Sequence, residues 1–398
     1  MTMQIEEPKH YKIGFHHLGF RPFFLLGSIF AIVAVSVWLW ILSYQGSLPR
    51  SELGLTQWHA HEMLFGYSLA VISGFLLTAE RNWTGVDTLR GAPLLLLASC
   101  WLLARILPFV PHPDAILMMV IADLIFGSFL CLALLYPIIK VRQWQHMATW
   151  SKVFLLVIAN TVFYAGIFNL FDNGIQIGLY TGLYSIVSLL FLMCRRVLPF
   201  FIEKGVGYPV TLRNARWVDY ASLILMLIFM VVEVFRLSAI TSAITAVMLV
   251  VLHSWRLIGW YSHGIWEKPL LWSLYLGYAW LIIGFVLKVL SYWSGVNPML
   301  SVHAFAYGGI GMMTIGMMAR IALGHTGRNV FLPPRGLLII FALLLLGAIV
   351  RVLLPIFMAE QYASLIHYAQ WLWLVAFAGF VIIYAPMLVK GRIDGKWG

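Results

Sequence analysis

The sequence predicts an all-α integral membrane protein with about twelve transmembrane helices. Of its 398 residues, 62% are hydrophobic and only 10% are charged, whereas soluble proteins contain about 25% charged residues. The mean hydropathy is +0.91. Apolar segments of membrane-spanning length recur along the chain. Basic residues concentrate in every second loop between these segments. These three observations exclude a soluble enzyme.

Twelve apolar segments are each long enough for a helix of roughly 20 residues to cross the hydrocarbon core of a bilayer. The predicted spans 1 to 12 are residues 22–43, 60–79, 92–110, 114–137, 151–171, 175–198, 218–236, 239–257, 269–292, 300–323, 335–358 and 363–388. Only a very short turn divides spans 7 and 8.

The placement of basic residues supports this number of spans. With twelve spans, both chain ends lie on one side of the membrane together with the even-numbered loops. All but five of the 26 Lys and Arg residues fall on that side, the exceptions being Arg50, Arg105, Arg236, Lys288 and Arg351. The positive-inside rule therefore predicts cytoplasmic chain ends. The net charge of +11 indicates contact with anionic membrane lipid, and no nucleic-acid partner is expected.

A single membrane domain is predicted for residues 22–388, between a cytoplasmic N-terminal segment, 1–21, and a cytoplasmic tail, 389–398. The N-terminal segment is polar and contains no cleavage site after a short apolar core, so the first span is expected to be an anchor. The three cysteines are scattered and form no CxxCH motif, which argues against covalently bound c-type haem. No Walker A motif occurs, which argues against transport driven by ATP.

Two histidines occupy matching positions in spans 2 and 10. A shift of 242 residues places His61 on His303, Gly66 on Gly308 and Thr84-Gly85 on Thr326-Gly327. Ionisable residues inside membrane spans are rare and usually functional. Both spans begin outside, so the two histidines have the same depth, and we expect them to ligate one haem iron from its two faces. The alternative is that each only hydrogen-bonds a neighbouring helix.

The α-helical rotation of about 100° per residue predicts which residues near His61 and His303 face the haem. Phe65 and Tyr307, each four residues after its histidine, are predicted to face the haem. His59 lies about 200° from His61 on the same helix, so both cannot face one ligand. We expect His59 at the headgroup level or in a cavity, with a role as a second metal ligand.

Three arginines lie near the outer ends of spans 3, 7 and 11: Arg105, Arg236 and Arg351. An arginine inside a span costs roughly 2.5–3.5 kcal/mol on insertion scales and needs a partner. Haem propionates are suitable partners, because a guanidinium pairs well with a carboxylate; the alternative is that these side chains extend to the lipid headgroups. Their spacing also agrees with a four-helix unit repeated three times, although helix ends generally collect arginine and glycine.

Four segments of the chain resemble the NnrS family of bacterial inner-membrane proteins. They are GFRPFFLLGS at 19–28, WHAHEMLFGYSLAVISGFLLTAERNWTG at 58–85, RRVLPFFIEKGVG at 195–207 and HAFAYGGIGMMTIGMMARIALGHTGR at 303–328. The resemblance covers all twelve spans. It implies haem and copper as cofactors and a role in tolerance of nitric oxide, but no settled reaction.

The architecture is also similar to the catalytic subunit of haem–copper oxidases and nitric oxide reductases, which carry their low-spin haem ligands on spans 2 and 10. This chain departs from that pattern: span 10 has one outer histidine instead of two, and spans 6 and 7 contain none. A second haem and a histidine cluster for copper are therefore not expected. A copper site would have to use other ligands, and candidates are His59, Met63, His112, His367 and the pair His16-His17.

Two classes of function agree with the sequence. In the first, the protein is a b-type haem redox protein of the nitric oxide reductase type that handles nitric oxide or its adducts with electrons from quinol. In the second, it is a haem- or metal-dependent sensor or transporter without turnover. In both, we expect it in the bacterial inner membrane. An iron with two histidine ligands has no free position for a gas unless one ligand leaves.

Overall fold

A computed structural model describes residues 12–47 and 53–398 of the protein. Within these residues, twelve helices are long and apolar enough to cross a membrane. We label them α1 to α12 in chain order, matching the predicted spans: Phe20–Tyr44, Leu55–Thr84, Ala92–Phe109, Ala115–Val141, Trp144–Ile167, Gly174–Gly205, Arg216–Val234, Ala239–Gly259, Pro269–Ser294, Pro298–His325, Leu337–Phe357 and Ala359–Val389. The predicted all-α membrane protein with twelve spans is confirmed.

The short turn between α7 and α8 is a true helix boundary. Arg236 has a φ of 50°, a left-handed conformation that ends α7. Ser238 then caps α8, because its hydroxyl accepts a hydrogen bond from the backbone N–H of Thr241 at 3.3 Å. Spans 7 and 8 are therefore two separate helices, as predicted.

Both described ends of the chain lie on the same side of the bundle, as an even number of spans requires. Ile13 and Lys390 form an isolated antiparallel bridge. The buried Arg21 side chain donates to the carbonyl oxygens of Leu388 at 3.1 Å and Lys390 at 2.6 Å, so α1 caps the C-terminal end of α12 and closes the ring of helices. We call this side the chain-end face and the other the opposite face. Residues 1–11 of the predicted N-terminal segment lie outside the described residues.

Helices α2, α6 and α10 meet at the centre of the bundle. The Phe65 ring of α2 packs on Gly182 of α6, where an added Cβ would lie 2.6 Å from the ring. The Tyr67 hydroxyl of α2 lies 2.5 Å from the Thr314 hydroxyl of α10. Cys194 of α6 contacts Met313 of α10 across 3.5 Å between their sulfur atoms. A four-helix repeat would produce such a centre, but the repeat itself stays a prediction.

Three π-helical segments interrupt the α-helices of the bundle. They are Glu62–Ser68 in α2, Ala304–Gly311 in α10 and Ile349–Leu353 in α11. The first two begin at the residue after His61 and after His303, so the two matched histidines share a backbone feature as well as a sequence position. π-Helical segments occur often at functional sites. They also change the rotation per residue, so the α-helical assignment of faces does not hold through them.

Candidate functional site

The structure places His61 in a closed group of polar side chains. Its Nδ1 lies 3.0 Å from Oε1 of Glu62, and its Nε2 lies 2.9 Å from Oδ1 of Asn160. The ring is fully buried and stacks on Phe163, with 4.7 Å between the ring centroids. Both ring nitrogens of His61 therefore already have protein partners.

Arg105 neutralises the carboxylates of this group. It donates to Glu62 Oε2 at 2.7 Å and also to Asp123. Asp123 accepts a second hydrogen bond from the Tyr164 hydroxyl at 2.6 Å. We call this group, contributed by α2 to α5, the carboxylate cluster; its members are His61, Glu62, Arg105, Asp123, Asn160 and Tyr164.

His303 has a different environment. Its Nδ1–H donates to the Met299 carbonyl at 2.8 Å, and Nη2 of Arg351 donates to its Nε2 at 3.0 Å. The other end of the Arg351 guanidinium lies 3.4 Å from the Tyr362 hydroxyl. Arg351 is 8% exposed, and among the described residues it forms no ion pair with a carboxylate. A buried guanidinium without a carboxylate is an unusual arrangement, because burial of an uncompensated charge is costly.

His59 shares its electrostatic surroundings with His303. It interacts electrostatically with Arg351, and His303 in turn interacts with both. The ring of His59 stacks on Trp38 of α1, with 4.6 Å between centroids and 8° between planes. Its Nδ1 is a buried atom with no hydrogen-bond partner among the described residues. We call the group Trp38, His59, His303, Arg351 and Tyr362 the histidine–arginine cluster.

That His61 and His303 hold one haem stays a prediction. The surroundings of the side chains favour His59 over His61 as the second ligand beside His303. Residues 59 and 61 point in different directions, as the helical rotation indicated. The sequence comparison selected His61 because it aligns with His303, yet the aligned residue lies in the carboxylate cluster.

The three arginines expected in one polar layer lie in three different places. Arg105 belongs to the carboxylate cluster and Arg351 to the histidine–arginine cluster. Arg236 is exposed in the turn after α7. Nearby, Glu233 pairs with Lys288 at 2.7 Å. Contact of an arginine with a haem propionate stays a prediction, and Arg351 is the one of the three that is buried without a carboxylate partner among the described residues.

Phe65 and Tyr307 also differ in their surroundings. The Phe65 ring lies 5.2 Å from the His61 ring, on the face predicted for it. The Tyr307 hydroxyl passes the bare backbone of Gly347 and donates to the Ala369 carbonyl at 2.8 Å. Tyr307 thus points to α11 and α12. Contact of Phe65 and Tyr307 with haem stays a prediction.

The candidates for copper are dispersed. His112 is exposed and accepts a hydrogen bond from the Asp114 backbone at 3.2 Å. His16 and His17 line a cleft of about 490 Å³ at the chain-end face, beside Trp397. The described part of the chain contains no group of three or more His, Cys, Asp or Glu side chains that could hold a metal ion. A copper site remains a prediction.

Several members of the two clusters could not be identified from the sequence. Asn160 is polar within an apolar span, which is a usable signal for an intramembrane partner. Trp38, Tyr164 and Tyr362 carry no such signal, because aromatic residues are common throughout these spans. Their roles depend on which helices become neighbours.

Twelve membrane-crossing helices that bury histidine, arginine and carboxylate side chains in the half away from the chain ends define a multi-pass membrane protein with an intramembrane site. The sequence profile of the NnrS protein family matches residues 14–392, nearly the whole chain. The chain therefore belongs to the NnrS family, as the four resembling segments predicted. No curated protein matches it.

Proposed function

We propose that this protein is a haem-binding membrane protein of the nitric oxide response, with the haem held between α2 and α10 by His59 and His303. The observation that supports this proposal most directly is that His59 has a buried, unpartnered Nδ1 and that the buried Arg351 beside it forms no ion pair with a carboxylate of the described residues. Membership of the NnrS family agrees with such a role.

The donor set of the histidine–arginine cluster fits a b-type haem. Neutral imidazole nitrogen is a common axial ligand of haem iron. A guanidinium forms strong bidentate hydrogen bonds to carboxylates such as propionates, and Arg351 would supply them here. The stacked Trp38 orients the His59 ring, and the Met299 carbonyl fixes His303 with its proton on Nδ1. His59 thus presents an unpartnered Nδ1, and Nε2 of His303 would exchange its hydrogen bond from Arg351 for the iron.

Bound haem would supply one-electron redox chemistry. The side chains of this chain would bind and orient it, and the apolar surroundings would exclude water. Two histidine ligands favour electron transfer, with quinol as the donor, over direct gas binding. Copper would need ligands beyond these two histidines.

A non-catalytic sensor or transporter is the second candidate function. It is favoured by the lack of a described three-residue metal cluster of the kind that a reductase would use beside its haem. Purified protein distinguishes the two functions. A redox protein should show a haem spectrum that quinol reduces and should consume nitric oxide, whereas a sensor or transporter should bind haem and consume none. Protein purified without any haem would contradict both versions.

We also propose that the protein lies in the bacterial inner membrane with the chain-end face in the cytoplasm. Reporter fusions at residue 390 should report a cytoplasmic location, and fusions in the loop after α3 should report the other side. The basic residues of the chain-end face support this orientation. Fusions with the reverse pattern would contradict it.

A further inference from the structure

Glu80, near the inner end of α2, is a buried carboxyl that belongs to neither cluster. Its side chain is 3% exposed. Its Oε1 atom is buried without a hydrogen-bond partner, and within the described ranges 12–47 and 53–398 the side chain forms no ion pair. Glu80 lies one helical turn before the end of α2 at Thr84, so only one layer of side chains separates it from the chain-end face.

The cations near Glu80 are committed to other partners. Arg196 of α6 lies 3.5 Å above the Trp83 ring and donates to Nδ1 of His146 at 3.1 Å. Arg81, the next residue of α2, pairs with Asp87 at 2.6 Å. Arg196 interacts with Glu80 only through the longer-range electrostatic field. A buried carboxyl without a donor is more stable in its neutral, protonated form.

Two buried hydroxyl groups lie on the helices beside Glu80. Ser73 precedes Glu80 by seven residues, so two turns of α-helix place both on the same side of α2; Ser73 is fully buried and donates to the Leu69 carbonyl at 2.7 Å. On α6, Ser185 precedes Arg196 by eleven residues and shares its side in the same way. The Ser185 hydroxyl is buried without a partner among the described residues. An unpartnered buried hydroxyl of this kind is a place where an internal water molecule binds.

We propose that Glu80 is a proton-exchange site, which takes up protons at the chain-end face and holds them in the buried layer between α2 and α6. In the exchange, the Glu80 carboxyl releases its proton to a water molecule and regains one from water at the chain-end face. Protonation of Glu80 does not depend on haem, so this inference and the proposed function can fail separately.

Infrared spectroscopy of the full-length protein in lipid tests the protonation of Glu80. The wild-type protein should show the C=O stretch of a protonated carboxyl group, shifted in D₂O because the proton exchanges. Glu80→Gln should remove this band, and Glu80→Asp should move it, which keeps the test decisive if the first variant folds poorly. Glu360→Gln, at the exposed start of α12 on the opposite face, is the matched control and should leave the band unchanged. A band that persists unaltered in both Glu80 variants overturns the proposal.

The pH dependence of the same band tests the influence of Arg196. Its positive charge favours the carboxylate form, so Arg196→Gln should make the Glu80 band persist to higher pH. Arg213→Gln, at an exposed position on the same face, should cause no shift. Equal shifts in the two variants would show a general surface-charge effect, and a shift to lower pH in Arg196→Gln would contradict the geometry described above.

Discussion

The matched segments 58–85 and 301–327 share a backbone design but differ in charge. In each, a π-helical segment begins directly after a histidine near the opposite face. His61 is surrounded by two carboxylates and an amide, and Arg105 balances the carboxylates. His303 instead contacts an arginine and a backbone carbonyl. The comparison indicates that the charges of the carboxylate cluster are paired with one another, whereas the histidine–arginine cluster keeps a buried cation and an unpartnered imidazole nitrogen.

The two clusters differ in whether removal of one residue leaves a buried charge without its partner. In the carboxylate cluster, each charge depends on another buried charge, and loss of one partner leaves an uncompensated ion in the interior. In the histidine–arginine cluster, no carboxylate depends on Arg351. The first cluster is therefore expected to determine stability and the second to determine ligand binding.

The largest expected effect is the loss of stability in Arg105→Leu. This change leaves Glu62 and Asp123 buried without their cation, at a cost of about 3–5 kcal/mol. Arg351→Leu is the matched variant and should cost only about 1 kcal/mol, the value of an ordinary hydrogen bond. Denaturation of both proteins in detergent measures the difference. Equal destabilisation would show that the two clusters do not differ in the way described.

The second prediction concerns haem retention. Here the larger effect is expected from the histidine–arginine cluster. Arg351→Leu should lower the haem content of purified protein, because the propionates lose their guanidinium. Arg236→Leu serves as the control, since Arg236 is exposed in a turn, and should retain full haem content. Haem is measured per mole of folded protein, so that stability does not enter. Full retention in Arg351→Leu would show that Arg351 does not hold the propionates.

A smaller effect is expected where the two segments touch. Tyr67→Phe removes the hydrogen bond to Thr314 and should lower the unfolding free energy by about 1 kcal/mol. Haem content should not change, because neither residue belongs to the histidine–arginine cluster. Tyr220→Phe, at an exposed position, provides the control for loss of a hydroxyl. A drop in haem content in Tyr67→Phe would place the site deeper in the bundle than we propose.

The sequence predicted the twelve spans well because hydropathy and basic residues act over whole segments. The boundary at Ser238, for example, followed from two apolar runs alone. The partners of His61 could not be predicted in the same way, since Asp123 comes from α4 and Asn160 from α5, and both meet His61 only through packing. The π-helical segments also escaped prediction, because an α-helical count assumes a constant rotation after each histidine. The choice between His59 and His61 depended on the packing around His61 and on the π-helical segments.

The central claim is that His59, and not His61, shares its site with His303. The most direct measurement is the optical and electron paramagnetic resonance spectrum of haem in three single variants of the purified protein: His59→Ala, His61→Ala and His303→Ala. Our account predicts that the His59 and His303 variants lose the low-spin signal or the haem itself, whereas folded His61→Ala protein keeps low-spin haem. The contradicting result is loss of the low-spin signal in folded His61→Ala protein and its retention in His59→Ala.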